Sequence, residues 1–372
     1  MPAGRGASGE VVEASAAAQT GQQAGAAPAY AALDLGTNNC RMLIAAPAPN
    51  GFRIIESVSR PVALGGDLQR RGRLSPAAAA RILRAMDLCA ERLRRHGVRR
   101  RKLVATHACR QAANAAAVLD EVRRRTGLKL QVIRPELEAR LALTSCAPLV
   151  DPVAEQLLVF DIGGGSTELI WIDLARVPAP LRRRAVLELA PLHGRLDPES
   201  PLGARIVDWI SVPLGVATLH QAFEDVTCDR ARFALMSCHF EDLVQGFAPV
   251  APGFSHRGAL QMIGTSGTVT TIAAAHLGLS RYSRDRVDGT WLGTGDVERV
   301  IARLLRLPPD RRARHPAIGA QRARLIVSGA AILQTFLRLW PVARLRVADR
   351  GLREGLLYAM MHEDGHFPAG IG

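Results

Sequence analysis

A strand–turn–strand pattern with aspartate and glycine at the turn occurs twice in this sequence, and it constrains the fold more than any other feature. Each copy has an apolar run, an Asp-x-Gly turn and a second apolar run: residues 30–33, 34–36 and 42–46 in the first, and 157–160, 161–163 and 167–172 in the second. Short apolar runs on both sides of a glycine turn predict a β-hairpin. Two such copies predict two homologous halves, each with an aspartate in the same place.

Helix and strand signals alternate through the rest of the chain. In order they are a helix between Ser75 and Gly97, a strand at 102–106, a helix at 110–124, a strand at 130–133, a helix from 135, a strand at 260–263, helices at 269–277 and 325–339, a strand at 345–347 and a last helix. This alternation predicts an α/β fold. Residues 177–206 are rich in proline and arginine, and we interpret them as a surface excursion.

The charge of the chain predicts a polyanionic partner. The formal net charge of +14 comes mostly from arginine, which makes bidentate contacts with phosphate oxygens. Nucleic acid, an acidic membrane and polyphosphate all remain open on this ground, and a biased overall composition explains part of the arginine content equally well. With only 4% aromatic residues and no recognised nucleic-acid motif, specific nucleic-acid binding is not expected.

Several features predict a cytoplasmic protein. The six cysteines form no CxxC pair and no zinc-site spacing, which is typical of reduced thiols. No apolar run is long enough to span a membrane, and the first 28 residues lack the apolar stretch of a signal peptide. Residues 1–29 are poor in large apolar side chains and are predicted to be a disordered tail.

The two turns are suited to phosphate. Glycines let backbone N–H groups approach phosphate oxygens, and the aspartate that precedes each turn either caps it or holds Mg²⁺. The second turn has three consecutive glycines and is followed by Glu168, so a phosphate and metal cleft is favoured over capping. A third turn at 264–268 precedes a predicted helix, whose N-terminus favours an anion. The sequence contains no GxxxxGK[ST] motif, which argues against a P-loop.

Six motifs occur in one order along the chain: ALDLGTNNCRMLIA, VATHACRQAAN, ELEARLA, VFDIGGGSTELIWI, IGTSGT and DRGLREG. From about residue 30 to 361 the sequence resembles the exopolyphosphatase/guanosine pentaphosphate phosphohydrolase (Ppx/GppA) family. The resemblance implies two ribonuclease-H-like domains of the actin/hexokinase/Hsp70 superfold with an interdomain cleft, placed here at 30–138 and 139–372. Since members of the family often form dimers, a homodimer is also expected.

The resemblance further implies which residues form the site. Asp161 and Asp34 would organise Mg²⁺, and Glu168 would help to place the metal or the attacking water. The phosphate-binding residues would be Gly36, Thr37, Asn38, Asn39, Arg110, Gly163, Gly164, Gly165, Ser166, Gly264, Thr265, Ser266, Gly267 and Thr268. Arg110 and Asn114, four residues apart, would share one helical face beside the anionic chain.

The catalytic base would be Glu138. The family motif usually reads Glu-Glu-Ala-Arg, and here the local sequence is Glu136-Leu137-Glu138-Ala139-Arg140. Glu138 keeps the register of that motif, while Leu137 replaces the adjacent glutamate and leaves the role of Glu136 open. The alternative is that both glutamates only favour the start of a helix. Arg353 and Glu354 would either buttress the cleft or form a structural ion pair.

The implied activity is Mg²⁺-dependent release of terminal orthophosphate from inorganic polyphosphate. Guanosine pentaphosphate, the substrate of the stringent-response enzyme of the family, presents the same terminal phosphates and is the alternative. More distant alternatives are a kinase of the same superfold and a non-catalytic polyanion sensor. The ELEAR and THACRQAAN motifs favour hydrolysis over phosphoryl transfer to another acceptor.

Overall fold

The structure is a computed structural model that describes residues 28–49, 51–190, 196–250 and 258–366. The predicted disordered tail, apart from Pro28 and Ala29, lies outside the described residues. In chain order the described strands are β1 Tyr30–Leu35, β2 Asn39–Ala48, β3 Gly51–Pro61, β4 Arg100–Ala105, β5 Gln131–Val132, β6 Gln156–Ile162, β7 Thr167–Asp173, β8 Arg205–Val212, β9 Leu260–Thr265, β10 Trp291–Gly293 and β11 Arg344–Ala348. The described helices are α1 Gly65–Arg71, α2 Pro76–Arg95, α3 His107–Gln111, α4 Ala115–Thr126, α5 Pro135–Cys146, α6 Arg182–Glu188, α7 Val216–Ala222, α8 Asp229–Leu243, α9 Gly267–His276, α10 Arg284–Val287, α11 Thr294–Arg306, α12 Pro309–Arg314, α13 Gly319–Ala323, α14 Ile326–Leu339 and α15 Leu352–Glu363.

The first sheet has the strand order β3-β2-β1-β4-β5. Strand β2 runs antiparallel to β1 and β3, whereas β4 is parallel to β1 and β5 is parallel to β4. Apolar side chains alternate between the two faces of β1. Leu33 packs into a core with Ile82 and Met86 of α2 on one face, and Ala32 packs with Leu357 of α15 on the other.

The second sheet repeats this arrangement. Its order is β10-β11-β9-β6-β7-β8, so that β8-β7-β6-β9-β11 correspond to the five strands of the first sheet, with β10 added antiparallel at one edge. The directions of the strands also correspond, with a β6–β7–β8 antiparallel meander followed by parallel β9 and β11. The predicted duplication and the two ribonuclease-H-like domains of the actin-like superfold are therefore confirmed.

Helices α5 and α15 pack against each other where the domains meet. Within α5, Leu143 belongs to the core beneath the second sheet, while Leu141 belongs to the core that α15 forms on the first sheet. The last helix of the chain thus returns to the first domain. The predicted boundary between residues 138 and 139 falls inside α5 and stays a prediction.

Two local predictions were wrong. The single helix predicted for 110–124 is broken into α3 and α4, and Asn114, at the break, binds the backbone N–H and C=O of Leu74 at 2.8 and 2.9 Å. It does not share a helical face with Arg110. Part of the predicted surface excursion forms α6, which buries Ala185 and Val186 in the core beneath the second sheet.

The predicted helix between Ser75 and Gly97 is confirmed as α2. Ser75 caps α2 by accepting a hydrogen bond from the Ala78 N–H at 3.2 Å, with Pro76 in the first turn. All six cysteines are free thiols, and four are buried, whereas Cys228 and Cys238 are exposed. No helix in the described part of the chain combines the length and apolar character that a membrane span requires.

Candidate active site

The carboxyl ends of β1, β6 and β9 meet at a cavity of about 200 Å³ between the two domains. Both Asp-x-Gly turns, Glu138, Glu168 and the third turn at 265–268 line it. Of the predicted site residues, Arg110 and Gly264 do not line the cavity. Gly264 lies within β9, where a Cβ atom would overlap the Phe160 ring, so packing in the core explains the glycine at this position.

Each glycine turn is closed by an equivalent backbone hydrogen bond, and the two turns are in contact across the cleft. The Gly36 N–H donates to the Asn39 carbonyl at 3.0 Å, and the Gly163 N–H donates to the Ser166 carbonyl at 2.9 Å. A Cβ atom on Gly165 would lie 2.5 Å from the His107 ring and would also overlap Thr37 Oγ1. Close approach of the two domains therefore requires glycine at position 165.

The N-terminus of α7 holds the second turn in place. Its Val216 and Ala217 N–H groups donate to the carbonyls of Gly163 and Gly164 at 2.9 and 2.8 Å. The Gly163 N–H is used within the turn, whereas the N–H groups of Gly164 and Gly165 donate to no acceptor among the described residues and are left for the cavity. Position 215 must also be glycine, because a Cβ there would lie 2.6 Å from the Gly164 carbonyl carbon.

Glu138 lies in the first turn of α5 and faces the cavity. Arg110 Nη1 donates to the Glu138 carboxylate and, at 2.9 Å, to the Ile133 carbonyl, so it fixes this carboxylate from outside the cavity. Burial raises the pKa of Glu138 well above its usual value, the charge of Glu168 raises it further, and Arg110 opposes both. Glu136 does not line the cavity. Its Oε1 accepts a hydrogen bond from the Leu196 N–H at 3.3 Å.

Asp34, Asp161 and Glu168 line the cavity beside Glu138, and Asp349 and Glu354 line it as well. Burial raises the pKa of Asp34 and of Glu168, and raises that of Asp161 to about 7, where the charges of Glu168 and Asp34 add to the effect. Glu168 Oε1 accepts a hydrogen bond from Ser211 at 2.8 Å. Asp34 Oδ1 is buried and finds no hydrogen-bond partner among the described residues. A cation would satisfy this oxygen and would reduce the repulsion among the carboxylates.

The donor set fits Mg²⁺. Within the ranges that the structure describes, no three His, Cys, Asp or Glu side chains are grouped as a complete metal site. Mg²⁺ prefers oxygen ligands and keeps several waters, so it is commonly held by one or two carboxylates together with substrate phosphates. Asp34 and Asp161 provide oxygen ligands of this kind at equivalent ends of β1 and β6.

The raised pKa of Asp161 predicts a cost in stability without a cation. The pKa of Asp161 is about 7 in the folded protein, against a reference value of 3.8, so folding favours the protonated carboxyl. This contribution to stability is fully present below pH 3.8 and is lost as pH rises through 7. In EDTA, Asp161→Asn should therefore stabilise the protein at pH 8, by at most about 4 kcal/mol, and have little effect at pH 4. Thermal unfolding of Asp161→Asn and of the parent at both pH values measures this difference in stability, with the exposed Asp225→Asn as control. An equal effect of Asp161→Asn at both pH values would contradict the prediction.

The sequence reasoning identified Arg353 at the cleft but missed Arg41, Arg322 and His107. Arg41 lies opposite Asp34 on β2, the place that Glu168 occupies opposite Asp161 on β7, so aligning the two hairpins would have identified it. Burial lowers the pKa of Arg41, and the charges of Arg353 and Arg322 lower it further. The charges of Arg322 and Arg353 thus act on Arg41 at this cavity. His107 also lines it and is neutral, because burial and Arg110 lower its pKa to about 4.

The third turn completes the cavity from the second domain. Ser266 has a φ of 116°, an unusual conformation for a residue with a side chain, and its hydroxyl accepts a hydrogen bond from the Thr268 N–H at the start of α9. Arg353 and Glu354 both line the cavity, 3.8 Å apart. Glu354 also binds Arg284 at 2.9 Å, so it is held within an ion-pair network.

Several solved structures share this architecture. A crystal structure of the Aquifex aeolicus Ppx/GppA family member is 25% identical, covers 91% of this chain and 99% of its own, and has a TM-score of 0.66. A second study of the Aquifex aeolicus PPX-GPPA enzyme gives 26% identity, 89% and 99% coverage and a TM-score of 0.65. An exopolyphosphatase from Cytophaga hutchinsonii shares the fold at 21% identity, with 92% and 99% coverage and a TM-score of 0.73. The family model of the Ppx/GppA phosphatase family matches residues 43–364, and the chain belongs to this family of phosphohydrolases.

Proposed function

We propose that this protein removes terminal orthophosphate from inorganic polyphosphate in a Mg²⁺-dependent reaction. The observation that carries the proposal is the position of Glu138, a carboxylate fixed by Arg110 that faces two opposed glycine turns in one cavity. A phosphohydrolase needs a group that orients and deprotonates water, and donors that bind the phosphoryl oxygens. The cavity combines both.

The turns bind and orient the terminal phosphate. Backbone N–H groups within the turns at 36–39 and 163–166, other than those of Gly36 and Gly163, approach it from opposite domains. Both turns must therefore close on the same phosphate for the reacting atoms to align. Glu138 accepts a proton from the water that attacks the phosphorus, and its raised pKa makes it a stronger base than an exposed glutamate once it is ionised. Arg110 is a positioning residue that keeps this carboxylate directed into the cavity.

Asp34 and Asp161, with Glu168 beside them, would hold Mg²⁺. When bound, this ion would neutralise charge on the phosphoryl oxygens. Ser211 orients Glu168 from behind, and Arg41 opposite Asp34 offsets the negative charge on the other side of the cavity. This arrangement accounts for the grouping of Asp34, Glu138, Asp161 and Glu168 in a space that must also receive a polyanion.

A polyanionic substrate is supported by Arg41, Arg322 and Arg353. The charges of Arg322 and Arg353 disfavour the charged form of Arg41 at this cavity, and an anion of several charges bound there would relieve this repulsion. The nearest alternative, a kinase, would need a bound acceptor hydroxyl where Glu138 would activate water. A non-catalytic sensor would need the arginines but would have no use for an Arg110–Glu138 pair.

Phosphate release tests the proposal. We expect release from long-chain polyphosphate with Mg²⁺ and loss of at least about 100-fold in rate with EDTA, because the carboxylates would then repel the substrate. Release mainly from guanosine pentaphosphate would assign the other activity of the family. Absence of release from both substrates would contradict hydrolysis, and transfer to an added acceptor would favour the kinase.

A further inference from the structure

His107 lies at the contact between the two domains, and the hydrolysis proposed above gives it no role. It follows Thr106, whose N–H donates to the Leu35 carbonyl at 3.2 Å, so the carboxyl end of β4 is tied to the end of β1. The imidazole therefore lies beside the first glycine turn, which begins at Gly36. Across the cleft, a Cβ atom on Gly165 would lie 2.5 Å from the ring atom Cδ2 and 3.0 Å from Cγ. One side chain of the first domain thus reaches both turns.

The ring nitrogens of His107 are open to the cavity. His107 lines the cavity with 7% of its surface exposed, and none of the described residues hydrogen-bonds its ring. The hydroxyl oxygen of the neighbouring Thr37 is sealed from solvent without a partner, whereas neither nitrogen of His107 is sealed in this way. A ligand in the cavity can therefore contact the imidazole directly. Packing within the first domain leaves the hydrogen-bonding capacity of the ring unused.

The imidazole is neutral. Burial, and then the charge of Arg110 one turn later in α3, lower the pKa of His107 to about 4. A neutral imidazole has one N–H donor and one acceptor nitrogen. An ionised phosphoryl group offers acceptors only, so it can bind only the N–H side of the ring. The imidazole would thus add a donor without adding a positive charge to a cavity that Arg41, Arg322 and Arg353 already line.

We propose that His107 binds the terminal phosphoryl group of the substrate through a ring N–H, at the point where the two glycine turns meet. This inference rests on the proposed function for the position of that group. A hydrogen bond to a charged oxygen strengthens binding and fixes the direction of that oxygen. Because the imidazole contacts Gly165 of the other domain, the donor is in place when both turns are closed on the phosphate. It would then help the turns to orient the phosphorus toward Glu138.

The alternative is a packing role, in which the ring only fills space beside Thr37 and Gly165. Two pairs of variants with similar shape separate these roles: His107→Gln with His107→Met, and His107→Asn with His107→Leu. In each pair the first side chain carries amide N–H donors and the second carries none. The glutamine amide replaces Nε2 of the ring and the asparagine amide replaces Nδ1, so the pair that shows a difference identifies the donating nitrogen.

Binding to a protein that cannot turn over tests the inference independently of hydrolysis. The Kd of inorganic tripolyphosphate is measured by calorimetry with Glu138→Gln protein and Mg²⁺, before and after each substitution of His107 is added. We expect His107→Met and His107→Leu to raise the Kd by at least about tenfold, the size typical of one lost hydrogen bond to a charged group. In at least one pair, the amide variant should bind at least about fivefold more tightly than its apolar counterpart. The exposed His362→Phe, outside the cavity, is the control and should leave the Kd unchanged.

Equal Kd values within both pairs would overturn the inference, since only the shape of the side chain would then matter. Unchanged Kd values in all four variants would overturn it as well. Circular dichroism detects a variant that does not fold, and the other pair then provides the comparison. If the parent protein releases no phosphate from any substrate but the difference within a pair holds, the proposed function fails and this inference stands. Phosphate release by the parent, with equal Kd values within each pair, would give the opposite result.

Discussion

Replacing Glu138 by glutamine should lower kcat/KM for phosphate release by about 10³-fold, the middle of the range for loss of a general base. Glutamine keeps the size of the side chain but cannot accept the proton of the attacking water. The turns at 36–39 and 163–166 are unchanged, so substrate should still bind, and the loss should appear mostly in kcat. Steady-state phosphate release, with a direct binding measurement on the variant, separates a loss of catalysis from a loss of substrate binding.

Glu136→Gln is the matched control for this prediction. It lies in the same first turn of α5, but its carboxylate contacts the Leu196 N–H outside the cavity. It should keep kcat/KM within about threefold of the parent, since it alters no group in the cavity. If both variants lost activity equally, helix α5 rather than a base at position 138 would explain the effect. If only Glu136→Gln lost activity, the base would be assigned wrongly.

Replacing Gly165 by alanine should reduce kcat/KM by about 100-fold, the order expected when reacting groups are displaced by about 1 Å. The added methyl group would overlap Thr37 and the His107 ring, which belong to the other domain. The two turns could then no longer close on the same phosphate. Because the clash lies at the cleft rather than within a core, the domains should still fold, and the loss should exceed any fall in thermal stability.

Gly246→Ala controls for the loss of a glycine as such. A Cβ there meets no atom within 4 Å, so activity and stability should both be retained. Comparable activity of Gly165→Ala and the parent would contradict the closed arrangement of the turns. Unfolding of Gly165→Ala would be detected by circular dichroism, and in that case Gly164→Ala, whose Cβ would lie 3.1 Å from Asn38 N, makes a milder test of the same contact.

The duplication and most of the cavity could be predicted from sequence because they depend on local patterns. An apolar run, an aspartate and a glycine turn specify the hairpin, and the carboxyl ends of equivalent strands must then meet in equivalent places. Asp34, Asp161 and both turns follow from this. Glu138 required the family motif, since a glutamate in the first turn of a helix is common for electrostatic reasons alone.

Features that depend on contacts between distant segments could not be predicted. The break between α3 and α4 is held by Asn114 and Leu74, forty residues apart, which no local pattern reveals. The return of α15 to the first sheet has the same cause: Leu357 meets Ala32 only in the folded chain. Arg41 was not identified because arginine is abundant throughout the sequence. Its register opposite Asp34 distinguishes it from the other arginines.

The most direct measurement of hydrolysis is phosphate release from long-chain polyphosphate in water enriched in ¹⁸O, with Mg²⁺ present. If Glu138 directs water to the terminal phosphorus, each orthophosphate released should carry one oxygen atom from the solvent. Mass spectrometry of the released phosphate then shows a single ¹⁸O per molecule. Orthophosphate without solvent oxygen, or phosphoryl transfer only when another acceptor is added, would contradict attack by water in this cleft.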